Sequence, residues 1–519
     1  MPERFYITTA ISYPNGRPHI GHAYEAIATD AIARFQRMRG KQVFFLTGTD
    51  EHGLKMAQAA RERGVEPAAF AEEMSAQFKA MDERLNISFD RFIRTTEPAH
   101  HQASQTIWKA MADKGDIYLG RYEGWYSVRD EAYYDEKELV EADTGEKLSP
   151  QGTPVEWTVE ESWFFNLSGY QERLLQHYRD HPDFIRPESR RNEVLRFVEG
   201  GLSDLSISRT SFDWGVKVPG SENHVMYVWL DALTNYLTGI GYPDEGAGWR
   251  DYWPADLHVI GKDVVRFHAV YWPAFLMSAD LPLPKQVFGH GWLLSRGEKM
   301  SKSVGNVVDP DDLANAFGVD ALRYFLLREV TFGQDGSYSP EAIVNRVNAD
   351  LANSFGNLAQ RTLSFIAKNC DGVLPTDGRR DPADEALLAL VDDLARRDLP
   401  AHFEALQLSQ GIEGWLKAVF ACNQYIDSQA PWTLRKTDPE RMKAVLATLF
   451  AAIRDLAIVI APVIPDASAK LLDAMGVPAG ERDFAALEDG GRYDRLAGSD
   501  FRLAAPSPIF PRLEAPAGS

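Results

Sequence analysis

FYITTAISYPNGRPHIGHAYEAIATDAIARFQRMRGKQVFFLTGTD, residues 5–50, is the stretch that decides the fold. Phe5 to Ile11 form an apolar run rich in β-branched and aromatic residues, and SYPNGRP after it is turn-forming. Ile20, Tyr24, Ile27, Ala31, Phe35 and Met38 then recur at helical spacing. Gly40 closes that helix, and QVFFLTG follows as the continuous apolar run of a strand covered on both faces. Strand, helix and strand in this order predict a βαβ unit with parallel strands, so the chain opens as a Rossmann-like α/β domain.

Outward from this unit, His52 to about Arg63 and Pro98 to Lys114 read as helices that continue the alternation. The texture changes at Asp116. Up to Ser206 the chain is rich in aromatic and turn residues, and YEGWYSVRDEAYY and PVEWTVEESWFF read as short strands of an inserted domain. YVWLDALTNYL, LHVIGKDVVRFHAVYWPAFLMS and KQVFGHGWLL then restore buried strands and helices, which would complete the first sheet. Beyond Ser339, apolar residues three and four apart over Pro340–Cys370, Ala383–Phe403, Ser409–Ser428 and Pro439–Met475 predict a helix bundle. The expected division is a split Rossmann domain over 1–116 and 207–295, an insert over 117–206, a loop and contact region over 296–339, an all-α domain over 340–475 and an extension over 476–519.

A chain of 519 residues exceeds what one core serves, since single cores stop growing at roughly 250–300 residues. Its two cysteines, Cys370 and Cys422, support neither a disulfide framework nor a four-cysteine zinc site. No apolar run approaches the roughly 18 residues of a membrane span, and MPERFYITTA lacks a signal peptide's layout, so a cytoplasmic protein with no membrane partner is expected. The net charge of −20 argues against a nucleic-acid partner on average. Local basic clusters at Arg34–Lys41, Arg186–Arg196 and Arg435–Lys436 leave the question open at this level.

Two motifs carry chemistry. His19-Ile20-Gly21-His22 puts two imidazoles three residues apart on the first turn of a helix that leaves a buried strand. Free N–H groups and the positive dipole end suit a phosphate there, and Gly21 permits close approach. Lys299-Met300-Ser301-Lys302-Ser303 lies in the loop SRGEKMSKSVGN, where two lysines can neutralise charge on a departing pyrophosphate. Asp50 stands directly after VFFLTGT, beyond a strand's C-terminal end, where α/β proteins bind ligands.

The strings HIGH and KMSKS stand here verbatim, and their combination resembles the class I aminoacyl-tRNA synthetases. The resemblance implies that His19, His22, Lys299 and Lys302 stabilise attack of an amino-acid carboxylate on the α-phosphate of ATP, with magnesium accompanying the nucleotide. The gap from His22 to Lys299 is too short for the editing insert of the isoleucyl, valyl and leucyl enzymes, and the cysteines of a cysteinyl-type zinc site are missing. TTAISYPNGRPHIGHA, FLTGTDEHG, YVWLDALTNY, IGKDVVRFHAVYWPA and GEKMSKSVGN look like the methionyl branch, from the start of the chain to about Trp432.

Carried over residue by residue, the resemblance implies a methionine pocket of Ile11, Trp229, Tyr236, Phe267, His268 and Trp272, with Asp50 on the substrate ammonium. Tyr13, Gly261 and Asp263 would join His19, Gly21, His22 and Lys302 around ATP. In the helix bundle, Asn357, Arg361 and Trp432 would read the anticodon of tRNA(Met), initiator and elongator alike, by stacking and base-edge hydrogen bonds. Many relatives hold a zinc knuckle in the insert; Ser127 and Ser149 stand at its cysteine positions, so an insert without metal is expected, its aromatics Tyr122, Trp125, Tyr126, Trp157 and Trp163 supplying the core. The chain lacks the appended dimerising domain of some relatives, so a monomer is expected. Another HIGH-type adenylating enzyme, or a catalytically silent synthetase-like RNA-binding scaffold, is the alternative at this point.

Overall fold

A computed structural model describes residues 2–142, 145–295, 297, 307–375, 380–488, 500–504 and 506–514. The opening unit forms as the pattern requires: β1 (Arg4–Thr9), α1 (Ile20–Met38) and β2 (Gln42–Thr49), with β1 and β2 parallel from Arg4↔Gln42 to Thr8↔Leu46. Two helices follow, α2 (Leu54–Glu62) and α3 (Pro67–Arg84), then β3 (Arg91–Arg94) and α4 (Pro98–Asp113). The sheet has six parallel strands, in the order β3, β2, β1, Leu257–Gly261, Val287–His290 and Ile185–Arg186. The fold is thus mixed α/β with a parallel sheet interrupted by an insert and followed by a helical C-terminal region.

The insert is built on one long hairpin rather than several short strands. β4 (Ile117–Ser127) pairs antiparallel with Glu156–Phe165 from Ile117↔Phe165 to Tyr126↔Glu156, and β5 (Ala132–Tyr134) and Leu205–Ser206 flank it. Gln171–Asp180 and Glu188–Glu199 are helices in the stretch read as turn-rich, and Ile185–Arg186 between them pairs with Val287–Phe288 in the parallel sheet. Of the five insert aromatics assigned to a core, Tyr126 is buried, whereas Trp157 is 54% exposed, edge-on to Trp125. Trp157 shares its strand face with the buried Phe165, so its exposure comes from position along the strand: the core covers the Phe165 end and not the Trp157 end.

The C-terminal bundle departs from the sequence pattern where Pro431–Thr437 adds a short helix and where the last long helix is interrupted. Pro439–Ile460 is a helix, but the chain breaks at Ala461–Ile464 before Pro465–Ala474 begins. The carbonyls freed at the break are used. Arg323, on the helix Val319–Glu329 and fully buried, donates from Nε to Val463 O (3.1 Å) and from Nη2 to Pro462 O (3.0 Å) and Asp30 Oδ2 (2.6 Å), and from Nη1 to Leu85 O (3.3 Å). One guanidinium therefore ties the bundle to α1 and to the end of α3, and a single apolar core runs from α1 through the bundle.

Asp320, one turn earlier, caps the helix Pro465–Ala474 from outside: its Oδ2 accepts from Ala467 N at 2.6 Å while its Oδ1 has no partner. Burial raises its carboxyl to about 6. Because the folded value lies above the unfolded one, this group's stabilising contribution is full below roughly pH 4 and is lost as pH rises through about 6. Asp320→Asn keeps the acceptor without the charge, so it is expected to stabilise the protein by about 1–2 kcal/mol at pH 7.5 and by little at pH 4.5. Paired thermal melts at the two pH values check this; equal shifts at both would count against it.

Candidate active site

A cleft of about 440 Å³ opens at the C-terminal edge of the parallel sheet. It lies where the chain leaves β1 toward β2 on one side while Leu257–Gly261 flanks β1 on the other, the switch point at which open α/β sheets bind ligands. A bridge between Ser12 and Thr49 prolongs the pairing past β1, and Asp50 N donates to Ser12 O at 2.8 Å. Ile11, Ser12 and Tyr13 are thereby fixed beside Asp50, and all four line the cleft.

The N-terminus of α1 enters from one side. His19 is its N-cap: the His19 Nδ1 accepts from Gly21 N, and His22 Nδ1 accepts from His19 N, each at 3.1 Å. Both rings thus sit in a reciprocal cap, with centroids 3.8 Å apart, and Phe78 meets His22 edge-on at 5.0 Å. With Nδ1 of each ring an acceptor, each Nε2 carries a hydrogen and can donate. A Cβ on Gly21 would lie 2.9 Å from His19 Cε1, so the ring could not fold over the turn in any other residue's presence. Helix dipole and imidazole donors together suit an anion.

Opposite, Trp229 and Phe267 stack at 3.8 Å and 6°. His268 is fully buried; its Nδ1 lies 2.9 Å from Val264 O, which can only accept, so Nε2 is left to accept from the Tyr236 hydroxyl at 2.6 Å. Burial lowers this imidazole to about 4, so it is neutral at physiological pH. The pocket floor is therefore aromatic and uncharged, suited to a long apolar side chain. Trp272 does not line the cleft: it is fully buried behind Tyr236, its ring 6.3 Å away, because its turn of helix faces the core beneath the pocket.

Asp50 supplies the charge. It is 6% exposed and its Oδ1 has no partner. Burial, then the neighbouring Asp231 and Glu131, raises its carboxyl well above the usual range, against a hydrogen bond from the His52 backbone. Asp231 itself is held below the usual range: burial opposes this, but His52 Nδ1 and His100 Nε2, each at 2.7 Å, outweigh it. An unpaired, buried carboxylate oxygen facing a cleft is the arrangement that a cationic ligand group relieves.

Several lining residues carried no sequence signal strong enough to be singled out. Glu25 accepts from Ala10 N at 3.1 Å and pairs with His290 Nε2 at 2.7 Å; burial opposes charge on His290, but Glu25 outweighs it and raises the imidazole. Glu131 reaches the cleft from the insert. Glu25 sits one turn from His22 on the same face of α1, which was the available clue; Glu131 had none. Gly261 and Asp263 line the cleft, whereas Lys299 and Lys302 lie outside the described residues.

At the positions of the expected metal-free knuckle, Ser127 and Ser149 are buried and bound into a polar knot with Thr153 and Asp130. Outside the cleft, Asn357 is exposed and Arg361 lies one turn on; the Arg361 guanidinium sits 5.4 Å over the Trp432 ring and pairs with Asp427 at 2.7 Å. The two side chains thus meet across helices, with Trp432 43% exposed.

Residues 5–363 match the family described as tRNA synthetases class I (M), and residues 374–510 match the anticodon binding domain of methionyl tRNA ligase. The chain is 57% identical over 516 residues to the methionine–tRNA ligase of Rhizobium meliloti, covering 99% of this chain and 98% of that one. It is 58% identical over 517 residues to that of Brucella suis, with 98% of each covered. Among solved structures, Mycobacterium tuberculosis methionyl-tRNA synthetase in complex with methionyl-adenylate is similar at a TM-score of 0.93 and 55% identity, covering 98% of this chain and all of that one. The free form of the same enzyme gives 0.88 at 52% identity.

Proposed function

The chain belongs to the methionyl-tRNA synthetase family of class I tRNA synthetases, and on that premise we propose that it activates L-methionine with ATP and transfers the methionyl group to tRNA(Met). The observation that carries the reading is Asp50, whose unpartnered buried oxygen faces the cleft beside an uncharged aromatic floor. The thioether side chain lies between Trp229, Phe267, Tyr236, His268 and Ile11, with Trp272 backing Tyr236, and Asp50 takes the ammonium. Sulfur against aromatic rings contributes about 0.3–1.5 kcal/mol per contact.

ATP lies along the N-terminus of α1. His19 and His22 donate to its phosphates, Gly21 lets the backbone approach, and Gly261, Asp263 and Tyr13 bound the nucleoside end. The methionine carboxylate attacks the α-phosphorus, the bond to the β-phosphate oxygen breaks, and pyrophosphate leaves with hydrogen bonds from the histidines and with charge neutralised by Lys299 and Lys302. No covalent enzyme intermediate is needed, because positioning and electrostatics carry nucleotidyl transfer. Magnesium enters as the ATP complex, held mainly by the phosphates. The tRNA terminal ribose then displaces AMP from the adenylate. We place this activity in a cytoplasmic monomer; no described helix is long and apolar enough to cross a membrane.

ATP–pyrophosphate exchange with each of the twenty amino acids tests the proposal. Exchange with methionine alone is expected; exchange with another amino acid alone overturns the pocket reading, and no exchange with any overturns the activity. Asn357, Arg361 and Trp432 are proposed to bind the anticodon. Trp432→Ala is expected to lower kcat/KM for tRNA charging by about 5- to 100-fold, the cost of a lost base stack, and to leave methionine-dependent exchange unchanged. Equal losses in both assays would remove Trp432 from the RNA interface.

A further inference from the structure

The helix α2 begins four residues after Asp50 and has no cap of its own. Its N-cap is Gly53, at φ +101°, which offers no side-chain acceptor. The first free N–H groups of a helix are satisfied from elsewhere or cost stability. Here the acceptors come from two distant parts of the chain. Lys55 N donates to Glu131 Oε1 at 3.2 Å, and Met56 N donates to the Tyr13 hydroxyl at 3.3 Å. The Tyr13 hydroxyl in turn lies 2.8 Å from His52 O and 3.3 Å from Glu131 Oε1. There is no slack at this junction: a Cβ on Gly53 would lie 2.9 Å from the Tyr13 oxygen and 3.0 Å from Glu131 Oε1.

Glu131 is delivered by the insert, on the turn between β4 and β5. Its backbone has φ +50°, a left-handed conformation that a non-glycine residue keeps only where its surroundings over-determine it. They do so here. Its Oε2 accepts from the Tyr126 hydroxyl, and its carbonyl accepts from Tyr227 at 2.8 Å. The preceding residue, Asp130, is the hub of the polar knot: Oδ2 accepts from Ser149 (2.8 Å), Thr153 (2.5 Å) and Tyr134 (3.0 Å), while Asp130 N donates to Ser127 Oγ (3.2 Å). The knot therefore holds a turn whose next residue enters the substrate cleft.

We propose that Glu131 is a positioning residue that caps α2 in trans and so fixes the Asp50–Gly53 turn and Tyr13, coupling the insert to the amino-acid subsite. This rests on the reading of Asp50 as the ammonium partner. For the cap, what matters is the reach of the side chain to the Lys55 amide; its charge acts on Asp50, whose carboxyl it helps to raise. Two variants separate these: Glu131→Gln keeps the reach and an acceptor oxygen, and Glu131→Asp keeps the charge but is one methylene short.

In ATP–pyrophosphate exchange on the full chain, Glu131→Asp is expected to raise KM for methionine about tenfold, the scale of a lost cap, with KM for ATP and kcat within about threefold. Glu131→Gln, which keeps the cap and removes only a charge that disfavours ionised Asp50, is expected neither to raise either KM nor to lower kcat by more than about threefold. Tyr13→Phe combined with Glu131→Asp is expected to be less damaging than the product of the single effects, because both disturb one junction. The same order in both variants, or the reverse order, overturns the proposal, as does an equal rise in both KM values. Amide hydrogen exchange supplies a readout that needs no activity: faster exchange at Lys55 and Met56 in Glu131→Asp than in Glu131→Gln is expected, and equal rates overturn the capping. Absence of methionine-dependent exchange in the parent protein would instead sink the ammonium reading, leaving the exchange rates to decide the cap.

Discussion

Asp50→Ala is expected to lower kcat/KM for methionine in ATP–pyrophosphate exchange by about 10²- to 10⁴-fold, since losing one partner of a desolvated ion pair costs roughly 3–5 kcal/mol. The same substitution is expected to leave the ligand-free protein as stable as before, or more so. Asp50 is buried with Oδ1 unpartnered, and burial with Asp231 and Glu131 nearby raises its carboxyl well above the usual range. A folded-state value above the unfolded one means that this group's stabilising contribution is present at low pH and lost as pH rises through the folded value, so ionising Asp50 opposes folding. The two assays thus move in opposite directions, which no general loss of structure does. Full activity in Asp50→Ala, or a fall in Tm of several degrees, would sink the assignment.

Arg323→Met is expected to destabilise the protein by about 3–5 kcal/mol, read as an earlier midpoint in urea or heat. Asp30 is held below the usual carboxylate range, burial notwithstanding, by Arg323, Arg34 and Ser88, and the carbonyls of Leu85, Pro462 and Val463 also use this guanidinium. Methionine fills the space of the stem but leaves those acceptors buried without a donor. Asp30→Asn added to Arg323→Met is expected to recover none of the loss, because Asp30 keeps Arg34 (2.7 Å) and Ser88 as partners while the carbonyls stay unpaired. A midpoint within error of the parent protein for Arg323→Met would show that the bundle docks by apolar packing alone.

The fold class was legible in the first fifty residues because a strand covered on both faces and a helix buried around most of its circumference leave unmistakable periods. The same logic missed α3 and the helices Gln171–Asp180 and Glu188–Glu199, whose polar faces carry many charges and whose neighbours are aromatic. It also ran one helix through Ala461–Ile464, where the break is stabilised by Arg323 from 139 residues earlier in sequence. In the cleft, His19, Gly21, His22 and Asp50 were readable because each sits at the end of a strand or the start of a helix, where local pattern fixes position. Trp229, Tyr236 and Trp272 were equally good candidates by residue type, and only the structure puts Trp272 behind the pocket wall.

By itself the sequence determined the parallel sheet, the helix start that carries both histidines, the carboxylate beyond β2 and the helical C-terminal region, since these follow from contacts within a few turns or one βαβ unit. Tertiary structure alone decided that Glu25 pairs with His290, that Asp231 lies between His52 and His100, and that the insert sends Glu131 to α2. Those pairings join residues 76 to 265 positions apart. A buried polar group must be satisfied by whatever the packed chain brings to it, and local periodicity holds no record of which distant residue that is.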